Sequence, residues 1–303
     1  MKFFSKPQKK PFIIAGPCLA ESFELMDEVA EKLVCLSESL NFDLIFKASF
    51  DKANRSSLSS GRGLGWEKTK DWFLHIKEKY QIPVTTDIHE CHQAEEVAQV
   101  CDILQIPAFL CRQTDLIQAA ARTGKMVHIK KGQFLSPSAT KSLVEKIKES
   151  SPFDNECILT ERGYAFGYGD LVVDMRSFSL MAETGALVCF DLTHSLQKPA
   201  SLGSQKESGG AREFAPLLAR AAVASSYVDG LFLEVHPNPQ KALSDKETQL
   251  DFIQAESLLK QVIPLWHQTR ELKYEDHLFR QRETPSISHD SSTRECSFRT
   301  RNS

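Results

Sequence analysis

Four side chains spread along the 303-residue sequence have the chemistry to hold a divalent cation. They are the thiol of Cys18, the imidazole of His194 and the carboxylates of Glu234 and Asp245. One sulfur, one nitrogen and two carboxylate donors suit a first-row ion such as Zn²⁺, Fe²⁺ or Mn²⁺. No local spacing motif joins them. Taken singly, Cys18 is a small core residue and His194 a satisfied polar group; they become a metal site only where a fold brings them together.

A second chemistry is basic. Lys47-Ala-Ser-Phe-Asp-Lys52-Ala-Asn54-Arg55-Ser56-Ser57 sets two lysines, an arginine and three hydroxyls directly after an apolar run. Arginine offers phosphate a planar fork and lysine a point charge. Lys130, Lys131 and Arg162 add positive charge at the ends of two further apolar runs. The formal net charge is −3, so the clustering is not compositional. A solvated charged face is a poor alternative, because these residues abut apolar segments. Two basic groups imply two phosphates, and hence two phosphorylated substrates. No GxxxxGK[ST] or GxGxxG run is present, so no nucleotide cofactor is expected.

These groups need a scaffold. Eight short apolar runs recur: Pro11–Gly16, Asp43–Ala48, Pro83–Ile88, Ile103–Pro107, Met126–Lys130, Cys157–Glu161, Ala186–Asp191 and Gly230–Val235. Helical spacing occupies Phe23–Leu40, Glu67–Tyr80, Gln93–Val100, Leu116–Ala121, Ala139–Lys148, Phe178–Glu183, Arg212–Tyr227 and Thr248–His267. Near-continuous apolar strands alternating with helices indicate a parallel sheet covered on both faces. Eight such units in about 250 residues predict an α/β fold of the (β/α)8 TIM-barrel type over residues 1–272, with an open doubly wound sheet as the runner-up.

The polar residues of the runs gather at their C-terminal ends: Lys47, Asp87, Gln105, Lys130, Glu161, Arg162, His194, Glu234 and His236. A barrel carries its active site at that rim, and there the first, seventh and eighth strands are neighbours. Cys18, His194, Glu234 and Asp245 would then converge. Strand alternation lets only one of Lys130 and Lys131 face inward, and Lys130 shares a face with His128. Three long polar loops follow strands, at 49–65, 195–212 and 237–246; the glycine-rich second one reads as a lid.

Apolar residues make up 41% and charged residues 25% of the chain, an ordinary globular composition. The charge balance argues against a nucleic-acid partner, and no apolar run is long enough for a membrane span. The basic, polar N-terminus lacks a signal-peptide stretch, so the cytoplasm is expected. Eight cysteines without a CxxC pair are expected to stay reduced, most of them as small core residues. Residues 273–303, rich in Ser, Thr and Arg, read as a disordered tail.

Several of these segments resemble the 3-deoxy-D-manno-octulosonate 8-phosphate (Kdo 8-phosphate) synthases. The resemblance is carried by Phe46-Lys-Ala-Ser-Phe-Asp-Lys-Ala-Asn-Arg-Ser-Ser57, Thr86-Asp-Ile-His-Glu90, Gln105-Ile-Pro-Ala-Phe-Leu-Cys-Arg-Gln-Thr-Asp115 and Lys130-Lys-Gly-Gln-Phe134. Glu161-Arg-Gly163, Phe166-Gly-Tyr168 and the segments around Asp191 and Glu234 match as well, so the similarity runs from about Phe12 to Ile263. It implies a (β/α)8 barrel, usually a homotetramer. The implied reaction joins phosphoenolpyruvate, D-arabinose 5-phosphate and water for lipopolysaccharide synthesis. One class of that family needs a metal and carries Cys at the position of Cys18; the other carries Asn.

The resemblance also implies roles. Lys130 and Arg162 hold the phosphoenolpyruvate phosphate, and Lys47 lies by its carboxylate and C2. Asn54, Arg55 and Ser56 position the sugar phosphate with Lys52 nearby. Arg112 reaches the sugar phosphate of a neighbouring subunit, and Asp87 orders a sugar hydroxyl or water. Lys47, Lys52, Asp87 and His194 are the expected catalytic set. Related synthases using erythrose 4-phosphate carry a Lys-Pro-Arg-Thr type run where this chain has Lys52-Ala-Asn54-Arg55, and they remain the nearest alternative. A barrel that only binds a sugar phosphate, or a metal-dependent aldolase-like lyase, is disfavoured by the complete ligand set and the two basic groups.

Overall fold

All eight apolar runs form strands, and the strands close into a ring. The computed structural model describes residues 8–53, 61–166, 170–198 and 209–272. Its barrel strands are β1 (Phe12–Gly16), β2 (Asp43–Lys47), β3 (Val84–Asp87) and β4 (Ile103–Ile106), followed by β5 (Met126–Lys130), β6 (Cys157–Glu161), β7 (Leu187–Asp191) and β8 (Gly230–Glu234). Each pairs in parallel with the next, and β8 closes onto β1, with Gly16 opposite Glu234. That closure excludes the open doubly wound sheet. Asn54, Arg55, Ser56, the middle of the 195–212 loop and the expected tail lie outside the described residues.

The barrel has two apolar layers, and they take alternate residues of the same strands. Phe12, Ile14, Ile45, Ile103, Met126, Ile158, Leu187, Cys189 and Phe232 pack together inside the ring. Ile13, Ala15, Leu44, Phe46, Leu104, Val127, Leu159, Val188, Leu231 and Leu233 pack outward against the helices. Period-two alternation then determines what the inner face carries nearer the C-terminal rim. Two steps on from Ile45 comes Lys47; from His128, Lys130; from Cys189, Asp191; from Phe232, Glu234. The interior is thus apolar at its floor and charged at its mouth.

The helices α1 (Phe23–Leu40), α2 (Trp66–Tyr80), α3 (Gln93–Ala98), α4 (Thr114–Arg122), α5 (Thr140–Ser150), α6 (Arg176–Ala182), α7 (Ala215–Ala224) and α8 (Phe252–Thr269) cover the ring. In α1 the Ser22 hydroxyl accepts from Leu25 N at 3.1 Å, and Met26, Val29, Ala30, Leu33 and Leu36 form its buried stripe. Most helices lie within two residues of their expected bounds, and two depart further. The segment expected over 212–227 is a 3-10 turn (Arg212–Phe214) followed by α7, because Pro216 lacks an N–H and fits only in a first turn. The last helix begins at Phe252 rather than Thr248. Leu250 instead exchanges backbone bonds with Glu234 O and His236 N, and Asp251 caps the helix with Gln254.

Cys101, Cys111, Cys157 and Cys189 are buried as expected of core cysteines, whereas Cys35 and Cys91 are exposed; all described cysteines are free thiols. Among the described residues no helix is long and apolar enough to cross a membrane.

Candidate active site

The floor of the site is the ring of Phe232. Lys130 Nζ lies 3.3 Å from its centroid, and His194 packs against it at 5.7 Å. Beneath Lys130, His128 is fully buried and shares a 2.6 Å hydrogen bond between Nε2 and the Thr160 hydroxyl. Burial, then the nearby Lys130 charge, push its pKa down to about 3, so the ring is neutral.

One wall is acidic. His194 does not end β7, as the sequence suggested; the strand stops at Asp191, and His194 sits in the one-turn helix Leu192–Ser195 that Asp191 caps. The Asp191 carboxylate accepts from His194 N at 2.9 Å and lies 3.0 Å from His194 Nδ1. It also accepts from Lys130 Nζ at 2.6 Å. A carboxylate can only accept, so Nδ1 carries a proton, and Nε2 is the nitrogen turned toward Glu234 and Asp245. Lys130 Nζ lies farther from Nδ1, at 3.3 Å, and its bond to Asp191 is the better one. Burial would raise the Asp191 pKa, but His194 and Lys130 outweigh it and hold the group ionised, well below the usual range.

His194 Nε2 faces Glu234 Oε1 at 3.6 Å and Asp245 Oδ2 at 3.9 Å. The same Asp245 oxygen accepts from Cys18 Sγ at 3.0 Å. Donor atoms of Cys18, Glu234 and Asp245 all lie within 4.8 Å of one another. Loop residues fix this geometry. Gln249 accepts from Cys18 N at 3.2 Å and donates to Ser244 O, Gln197 donates to Asp245 Oδ1 at 2.9 Å, and Asp245 adopts a left-handed backbone (φ 48°). Glu234 N donates to the Thr193 hydroxyl at 2.8 Å.

Cys18, Glu234 and Asp245 form a donor cluster that fits a divalent cation, and His194 Nε2 stands beside its two carboxylates rather than within the cluster. Both carboxylate oxygens of Glu234 are buried without a hydrogen-bond partner among the described residues, with Lys47 Nζ standing off at 3.9 Å, so their lone pairs are left for a bound ion. Burial, then Asp245 and Glu234, push the Cys18 thiol far up, so it sits among anions as a neutral donor; a cation there would convert it to a thiolate ligand. A possible metal site is therefore present.

The opposite wall is basic. Lys47 Nζ donates to the Ser49 hydroxyl at 2.7 Å and lies 3.6 Å from Asp87 and 3.9 Å from Glu234. Lys52 Nζ donates to the same hydroxyl at 3.0 Å, and Ser49 donates to Asp87 Oδ1 at 2.5 Å. Burial works against the Lys52 charge, but the carboxylates of Glu234, Asp87 and Asp245 outweigh it and raise its pKa. Asp87 is held low despite burial, by Lys47 first and then by His89, whose Nε2 lies 3.0 Å away. Arg162 Nη2 donates to His194 O and Gln197 Oε1, each at 3.0 Å. Lys131, by contrast, pairs with Glu161 on the other side of the strands.

Nine of the expected site residues thus meet at one mouth: Cys18, Lys47, Lys52, Asp87, Lys130, Arg162, His194, Glu234 and Asp245. Arg112, expected to serve a neighbouring subunit rather than this mouth, is exposed after the turn that follows β4. Gly16 makes the closeness of the walls possible, because a Cβ there would lie 1.9 Å from Lys47 O. Asp191, Gln197, Gln249 and Phe232 were not among the expected site residues, and Ser49 was expected only as one of three hydroxyls in the basic run. Only Asp191 left a signal, as an N-cap three residues before a histidine.

The DAHP synthetase I family profile matches residues 6–271. A 2-dehydro-3-deoxyphosphooctonate aldolase of Fusobacterium nucleatum is 52% identical over 258 residues, 85% of this chain and 91% of that protein. Enzymes of the same name from Cupriavidus taiwanensis and Nitratidesulfovibrio vulgaris are 49% and 48% identical over 255 residues each, covering 82% and 84% of this chain and 87% and 92% of theirs. The chain belongs to the DAHP synthetase I family, in the branch of the 2-dehydro-3-deoxyphosphooctonate aldolases.

Proposed function

We infer that this chain condenses phosphoenolpyruvate with D-arabinose 5-phosphate and water to give 3-deoxy-D-manno-octulosonate 8-phosphate and inorganic phosphate. The shared name of relatives at about half identity supports the reaction. The observation that carries it is the mouth itself, where buried cations face a cluster of thiol and carboxylate donors across the Phe232 ring.

Lys130 and Arg162 bind the phosphoenolpyruvate phosphate, and Lys47 faces its carboxylate and the charge that develops at C2. Low dielectric around these groups strengthens each contact. Lys52, with Asn54, Arg55 and Ser56, orients the sugar phosphate so that its aldehyde carbon meets C3 of phosphoenolpyruvate. Asp87 fixes Ser49 and Lys47 and receives a sugar hydroxyl or water. The new carbon–carbon bond joins C3 to the aldehyde carbon, whose oxygen takes a proton and becomes a hydroxyl. Water adds at C2, and the tetrahedral species expels phosphate by breaking its C–O bond.

Cys18, His194, Glu234 and Asp245 would hold a divalent ion, which supplies Lewis acidity toward the aldehyde or acidifies a water. Arg112 serves the sugar phosphate of a neighbouring subunit, which makes the active form a homotetramer. The phosphorylated substrates put the enzyme in the cytoplasm.

The family description names DAHP, so erythrose 4-phosphate is the alternative acceptor. Phosphate release from phosphoenolpyruvate, measured with each sugar phosphate, decides between them. Arabinose 5-phosphate is expected to give a kcat/KM at least about 100-fold higher. Equal or faster release with erythrose 4-phosphate overturns the reading.

A further inference from the structure

We propose that the buried Lys131–Glu161 ion pair positions Lys130 and Arg162, setting the separation of the two cations that grip the phosphoenolpyruvate phosphate. The proposal rests on the assignment of that phosphate to Lys130 and Arg162.

The four residues form two consecutive pairs at the ends of adjacent strands. Lys130 is the last residue of β5, in register with Thr160 of β6, and Lys131 N donates to Thr160 O at 2.8 Å. Lys130 and Arg162 turn toward the mouth, while their neighbours Lys131 and Glu161 turn away from it and meet. Lys131 Nζ lies 3.4 Å from Glu161 Oε2, and both side chains are completely buried.

Each partner ties down a loop. Lys131 Nζ donates to Gly132 O at 3.2 Å and Leu135 O at 3.1 Å and sits 3.6 Å from the Tyr164 ring centroid, so it spans the loops after β5 and β6. Glu161 Oε1 accepts from Arg162 N at 2.9 Å and Gly163 N at 2.6 Å, at the point where the arginine leaves its strand. Gly163 has φ 93°, a conformation that glycine alone adopts readily. The carboxylate therefore holds a turn that aims the Arg162 guanidinium at His194 O and Gln197 Oε1.

A device of this kind answers a physical need. Lys130 and Arg162 are like charges, both buried, and each is held by its own partners, Lys130 by Asp191 and Arg162 by His194 O and Gln197. A buried ion pair is a poor source of stability compared with apolar residues of the same size; fixing a register is its best-attested use. Here the register in question is that of two phosphate ligands, whose spacing must match one anion to within a fraction of an ångström.

The test uses Glu161→Gln, which keeps an acceptor for the two backbone N–H groups, and the double variant Lys131→Met/Glu161→Gln, which leaves no unpaired buried charge should the single variant fold poorly. Steady-state kinetics and competitive inhibition by inorganic phosphate are measured for each. KM for phosphoenolpyruvate and the inhibition constant for phosphate are expected to rise about tenfold, with kcat within about threefold and KM for arabinose 5-phosphate unchanged. Folded variants with the parent's KM for phosphoenolpyruvate and phosphate inhibition overturn the proposal. So does an equal loss toward both substrates, which general loosening of the barrel produces. Lys130→Met is run in parallel. If it leaves phosphate inhibition unchanged, the assignment of the phosphate site has failed, independently of the ion pair.

Discussion

Asp191 and His194 form a carboxylate–imidazole pair across one helical turn, with His194 Nδ1 at 3.0 Å from Asp191 Oδ1 and its backbone N at 2.9 Å from the same oxygen. The pair turns Nε2 toward Glu234 and Asp245. Partners of this kind set the tautomer and basicity of a ligating histidine.

Asp191→Asn therefore weakens the metal site without removing a ligand. The amide can present N–H to Nδ1, which moves the ring proton to Nε2. Zinc affinity, measured by competition with a chromogenic chelator, is expected to fall about 10- to 100-fold. An unchanged affinity would separate Asp191 from the metal site.

Gly16→Ala tests the contact between the two walls. A Cβ at this position meets Lys47 O at 1.9 Å, inside any tolerated distance and against backbone rather than a flexible side chain. Urea unfolding is expected to show a loss of more than about 3 kcal/mol. A loss within about 1 kcal/mol contradicts that account of the β1–β2 approach.

His128 gives the fold a pH dependence of its own. Its pKa lies near 3 in the barrel and near 6.5 when free, so the unfolded chain takes up the proton first. The stabilisation is full above pH 6.5 and falls away as the pH drops from there toward 3. His128→Gln is expected to flatten the pH dependence of stability in that window by up to about 1.4 kcal/mol per pH unit. Urea midpoints at pH 7 and pH 5 measure it; the same slope in parent and variant excludes a neutral buried His128.

The architecture was legible because each strand is apolar on both faces, which only a sheet covered on both sides explains. That same feature hid the barrel interior. Phe12 and Ile14 face inward and Ile13 and Ala15 outward, yet all four are apolar, so the sequence shows no alternation there. The charges at strand ends escaped this ambiguity, and Lys47, Asp87, Lys130 and Glu234 could be named; Cys18 and Asp245 rested on the expected meeting of the first, seventh and eighth strands and on the resemblance. Asp191 was given no role because an acid at a helix N-cap is ordinary. Gln197 and Gln249 act through loops whose course no periodicity encodes. Arg112 was expected from resemblance alone, and for a neighbouring subunit's site; it is exposed on this chain.

Arg55 lies outside the described residues, but its proposed place beside Lys52 makes a kinetic prediction. Arg55→Ala is expected to raise KM for arabinose 5-phosphate at least about tenfold while leaving KM for phosphoenolpyruvate within about twofold. An unchanged dependence on the sugar phosphate removes Arg55 from that role.

On the proposed function, Cys18, His194, Glu234 and Asp245 hold a divalent ion that the reaction needs. Phosphate release from phosphoenolpyruvate and arabinose 5-phosphate, measured after EDTA treatment with metal content determined on the same sample, tests it most directly. The treated enzyme is expected to lose nearly all activity and regain it on adding Zn²⁺, Fe²⁺ or Mn²⁺, and Cys18→Ala to retain neither metal nor more than a few per cent of the rate. Full activity in a sample free of metal would contradict the account.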